Sequence, residues 1–118
     1  NNPYGNQNGN WNGNEGNVNY YANVMNNGEF VTFVNALKRN ASFDKDKIAM
    51  IFSVSRNTNF TSLQVQTLLK AMSFDDNRLE VAKMLYQNCV DRRNYYVVQE
   101  AFDFDSARRK LDDYISRF

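Results

Sequence analysis

The sequence predicts an all-α domain built from paired helices, on three observations. No glycine or proline occurs after Gly28, so nothing interrupts helix formation from Glu29 to Phe118. Apolar residues in that stretch recur at steps of three and four, the spacing of one helix face. A phenylalanine–aspartate pair returns at Phe43-Asp44, Phe74-Asp75 and Phe104-Asp105, and an interval of about 30 residues suits a two-helix repeat.

The chain of 118 residues has a one-domain length, yet its composition is too uneven for one globule. All five glycines and the single proline lie at or before Gly28, and nine of the first nineteen residues are asparagine. Such a segment offers too little apolar surface to offset the entropy of ordering it. Residues 1–19 are therefore expected to form a disordered Asn/Gly-rich tail, residues 20–28 a lead-in, and residues 29–118 the helical repeat domain. Tyr4, Trp11, Tyr20 and Tyr21 are scattered through the first part, a composition also found in segments that self-associate weakly. Tyr20 to Met25 is expected to be a short helical lead-in, with Tyr21, Val24 and Met25 touching the core, before Asn27-Gly28 breaks the chain.

The elements follow in order. Phe30, Phe33, Val34 and Leu37 mark a first helix over about Glu29 to Asn40, and Ile48, Ile51, Phe52 and Ser55 a second ending near Arg56. Further stripes are Val65, Leu68, Leu69 and Met72, then Leu79, Ala82, Tyr86 and Cys89. Tyr95, Val98 and Phe102 give a fifth helix, and Ala107, Leu111, Tyr114, Ile115 and Phe118 a sixth. Six short helices in three stacked hairpins are expected. Each aspartate of the Phe-Asp pairs is expected to cap its own helix, accepting from first-turn amides and matching the dipole. Phe43 with Ile48, and Phe74 with Leu79, then stand at hydrophobic-staple positions, whereas the third copy has Arg109 in place of the apolar partner. Thr61 followed by Gln64 reads as a capping box for the third helix.

One run of residues carries a family likeness: Phe60-Thr61-Ser62-Leu63-Gln64-Val65-Gln66-Thr67-Leu68-Leu69, then Phe74-Asp75 with Leu79 and Ala82-Lys83, then Asp91, Asn94-Tyr95 and Phe102-Asp103-Phe104. Over about residues 29 to 118 the chain resembles the uncharacterised family called domain of unknown function 4476. That resemblance implies a domain that closes secreted or envelope-associated bacterial proteins, often behind a low-complexity segment. It brings no activity and no catalytic residues.

Charge and motifs exclude several functions. A net charge of +1, from 14 basic and 13 acidic side chains, disfavours a polyanion-binding protein. No apolar run approaches the roughly 20 residues of a membrane span. The absence of histidine removes Ser-His-Asp and Cys-His catalysis and imidazole metal sites within this chain. Asp44 with Asp46, Asp75 with Asp76, and Asp112 with Asp113 lack the ligand spacing of a calcium loop, and no glycine-rich phosphate loop exists. Catalytic, cofactor and metal residues are accordingly predicted to be none. Cys89, the single cysteine, is expected to be a small buried filler. The turn Asp91-Arg92-Arg93-Asn94-Tyr95-Tyr96 combines residue types that dominate binding hot spots, which makes Arg92, Arg93 and Tyr96 the candidate partner-binding residues. Tyr95 itself aligns with core positions, and Arg108-Arg109-Lys110 reads as a solvated helix face.

The leading expectation is a non-enzymatic module, outside the cytoplasm, that binds an unidentified protein and is monomeric or weakly self-associating. The alternatives are a small-molecule or glycan binder, or an enzyme, with a pocket between hairpins, and a structural protein that assembles through its tail.

Overall fold

The computed structural model describes residues 23–118. Its elements are α1 (Asn27–Asn40), α2 (Asp44–Ser55), α3 (Ser62–Lys70), α4 (Asp75–Leu85), a 3-10 turn (Tyr86–Asn88), a 3-10 helix (Arg92–Ala101) and α5 (Asp105–Ile115). The described chain is thus all-helical, as expected.

α1 begins earlier than its apolar stripe suggests. The Asn26 side chain accepts from the Glu29 amide at 2.8 Å while the Glu29 carboxylate accepts from the Asn26 amide at 2.9 Å. This capping box draws Asn27 and Gly28 into the first turn instead of letting them break the chain. Upstream, Val24 forms a parallel bridge with Asn59 and is not helical. The start of the expected lead-in at Tyr20 and the expected core contact of Tyr21 lie outside the described residues.

α3 starts as expected, with Thr61 and Gln64 in a reciprocal capping box. Gln64 is then spent twice, since its amide also donates to the Met25 carbonyl at 3.0 Å and ties the segment before α1 to α3. The loops leading into α1, α3 and the 3-10 helix lie side by side. Asn59 N–H donates to the Asn23 carbonyl, Phe60 N–H to the Asn88 carbonyl, and Val90 N–H to the Phe60 carbonyl, each at 2.9–3.0 Å.

The fifth expected helix is 3-10 and not α. Its sequence crowds Tyr95, Tyr96, Val97 and Val98, aromatic and β-branched residues with weak α propensity. Tyr95, Val98 and Ala101 are its buried residues, a step of three that matches three residues per turn. This segment packs along α3, while α4 lies between α2 and α5. The core runs through the middle, with Leu37, Ile51, Phe60, Val65, Leu68, Leu69, Val81, Leu85, Val98 and Leu111 fully enclosed.

The Phe-Asp pairs correct the capping expectation. The N-caps of α2, α4 and α5 are Phe43, Phe74 and Phe104, with no side-chain cap in any of them. The aspartates reach the following turn instead. Asp44 accepts from the amides of Ser73 (2.9 Å) and Phe74 (3.2 Å), and Asp75 from those of Asp103 (3.0 Å) and Phe104 (2.9 Å). An aspartate at the first helical position points its carboxylate off the end of its own helix, where the next turn's free amides lie within reach. The residues at the two staple positions, Phe43 and Phe74, are 73% and 68% exposed.

Candidate functional site

The predicted turn resolves into unlike parts. Arg92 is exposed but committed, donating to the carbonyls of Tyr86 (3.1 Å) and Gln87 (3.2 Å) with its guanidinium 5.0 Å from the Tyr86 ring centre. It closes the C-terminal end of α4, where a cation suits the dipole. Arg93 is exposed, and Tyr96 is 69% exposed. Tyr95 is core, as aligned, and its hydroxyl donates to the Ala82 carbonyl at 2.6 Å. Burial, together with the neighbouring Cys89, pushes that phenol far up, so it stays protonated. Within Arg108-Arg109-Lys110 the solvated-face expectation holds for Arg109 and Lys110 only. Arg108 is half-buried and donates to the carbonyls of Gln99 and Phe102 and to Asp105.

Three carboxylates sit between elements, at Asp44, Asp75 and Asp91. Burial pushes each of them up, but hydrogen bonds outweigh it and leave all three below the ordinary carboxylate range. For Asp44 the donors are the Asn77 amide and the Ser73 and Phe74 N–H groups, helped by the charge of buried Lys47. Asp75 is held by the Asp103 amide, Arg78 and the Phe104 amide. Asp91 is held by Asn94, by the Ser62 amide and hydroxyl, and by Cys89. Arg78 is the densest node. It is buried and donates to the carbonyls of Leu69 (3.2 Å) and Met72 (2.7 Å) and to the carboxylates of Asp75 (2.8 Å) and Asp103 (3.0 Å).

These acids act as fasteners, and their pH dependence follows. Unfolded aspartate titrates near 4, and each folded value is lower, so the unfolded chain binds more protons in the acid range and stability rises with pH there. The denaturant midpoint is therefore expected to stay level from pH 7 to about 5 and to fall steadily below about 4. Asp44→Asn should shrink that fall, and an unchanged acid profile in the variant would remove Asp44 as a contributor.

Cys89 is buried, as expected, with its sulfur 3.3 Å from both the Ser62 hydroxyl and the Asp91 carboxylate. Burial pushes the thiol up, which suits packing and not nucleophilic attack. Among the described residues no three His, Cys, Asp or Glu side chains group to hold a metal ion, and no helix is long and apolar enough to cross a membrane.

The surface feature that sequence reasoning missed is apolar. Phe43, Phe74 and Phe104 occupy the same position in three turns and are 73%, 68% and 67% exposed. Phe74 and Phe104 border one groove of about 240 Å³ whose lining includes Leu79 and Ala107, with Asp76 and Lys110 at its edge. Spacing gave no signal for Phe104, which stands three and seven residues before Ala107 and Leu111 and so falls on the stripe of the helix that follows it.

The family model described as Domain of unknown function (DUF4476) matches residues 24–115. No curated protein and no solved structure matches the chain.

Proposed function

The chain belongs to the DUF4476 domain family, and from that premise we propose that it is a non-enzymatic protein-interaction module working outside the cytoplasm, in the cell envelope or as a secreted protein. The row of exposed phenylalanines carries the reading. Apolar rings repeatedly placed in water are costly unless a partner covers them. Here Phe74 and Phe104 stand on turns held from behind by the Asp44 and Asp75 carboxylates. The residues that could otherwise suggest chemistry are engaged in fastening helices together. The stacking of three helical hairpins is part of the same proposal, supported by the recurrence of the aspartate-to-turn contact at Asp44 and Asp75.

The partner that fits is a protein segment that inserts an apolar side chain between Phe74 and Phe104 and presents a cation to Asp76 and an anion to Lys110. Cross-linking in the source cells, with the intact chain as bait, tests it. Phe74→Ser with Phe104→Ser is expected to weaken capture at least tenfold while leaving the melting temperature within about 2 °C, because both rings are exposed. Equal recovery of the same partners by the variant would overturn the assignment of this surface.

A further inference from the structure

The contact that joins successive turns occurs twice within the chain and leaves one unused half at each end. Asp44 takes the Ser73 and Phe74 amides, and Asp75 takes the Asp103 and Phe104 amides. Asp105 holds the same position in α5, but its side chain is 78% exposed and meets only Arg108 among the described residues. At the other end, the amides of Ser42 and Phe43 occupy the place of the Ser73–Phe74 pair, and no described residue accepts from them. One end therefore offers an acceptor and the other its matching donor pair.

We infer that a second copy of this chain docks head to tail, with Asp105 of one copy accepting from the Ser42 and Phe43 amides of the next. The residues flanking this seam agree. Inside the chain, Leu79 of α4 and Ala107 of α5 line the same groove beside the Asp75 contact. The residues at those two places across the open seam are Arg109, four after Asp105, and Asp46, two after Asp44. Both are exposed and they carry opposite charges. Beside the Asp75 contact that pair is buried and apolar and beside the Asp44 contact the same places hold Ile48 and Asn77, whereas across the open seam they are taken by a complementary ionic pair. A seam of this kind is heterologous, so it propagates into rings or filaments instead of closing as a two-fold dimer. Because its charges are solvent-exposed, it is weak and salt-sensitive.

Sedimentation velocity of the full chain over a concentration series to the millimolar range tests the seam independently of the Phe74–Phe104 surface. The wild type is expected to associate reversibly, less so at high salt. Arg109→Glu and Asp46→Lys should each weaken association roughly tenfold or more, since attraction becomes repulsion, and mixing the two variants should restore it through alternating Glu–Lys and Arg–Asp seams. Circular dichroism confirms that each variant is folded. A wild type that remains monomeric throughout, or association indifferent to both reversals, as assembly through the first 22 residues would be, overturns the inference.

Discussion

Replacing Arg78 with alanine is expected to lower the unfolding free energy by about 3–5 kcal/mol, the cost of breaking a buried charge network from one side. Only about a tenth of the side chain is exposed, and its loss takes a donor from the Leu69 carbonyl, which keeps its bond from the Met72 N–H, and removes the guanidinium from the Met72 carbonyl. It also strips Asp75 of its cation while that carboxylate still holds the turn before α5. Against a net stability on the order of 5–10 kcal/mol for a domain this small, such a loss brings the chain near its unfolding threshold at 37 °C. Arg78→Lys should fall between the two, because an ammonium lacks the planar fork that serves four acceptors. Arg108→Ala removes the corresponding contacts from a more exposed place in α5 and should cost only about 1 kcal/mol. Urea denaturation measures all three. A loss below about 1 kcal/mol for Arg78→Ala would show that the network contributes little.

Phe60→Ala is the second large effect, expected at about 3–5 kcal/mol from lost transfer free energy and the cavity left behind. Phe60 is fully buried although it lies in the loop before α3. Its backbone is bridged to the segment before the 3-10 helix, with its N–H donating to the Asn88 carbonyl and its carbonyl accepting from the Val90 N–H. The same substitution at Phe43, which is 73% exposed, should change stability by no more than about 0.5 kcal/mol. Thermal melts of the two variants side by side decide the point. If they lost stability equally, the assignment of inside and outside among these phenylalanines would be wrong.

That contrast marks the limit of what residue pattern conveys about the surface. Phe43 and Phe60 are both aromatic residues just ahead of a helix, and their neighbours do not distinguish them. Exposure depends on which chain segment lies across the turn, and that is set by contacts many positions away. At the candidate turn of Arg92, Arg93 and Tyr96, the folded chain likewise sets Arg92 apart, because the carbonyls of Tyr86 and Gln87 at the end of α4 engage it. The Phe74–Phe104 groove was hidden likewise, since its two rings are neighbours only once α4 and α5 are side by side.

By itself the sequence determined the helical class, the core stripes of α1 and α3, the Thr61–Gln64 capping box, the burial of Cys89 and the family. These depend on spacing within one or two turns, where backbone geometry alone decides which side chains share a face. Only the tertiary structure decided that α1 begins at Asn27, that Arg92–Ala101 winds as a 3-10 helix against α3, and that three phenylalanines face water. It also redirected the aspartates of the Phe-Asp pairs. From sequence Asp44 and Asp75 cap their own helices, but a carboxylate takes whichever amides lie in front of it, and the fold places the turn of the next Phe-Asp pair there.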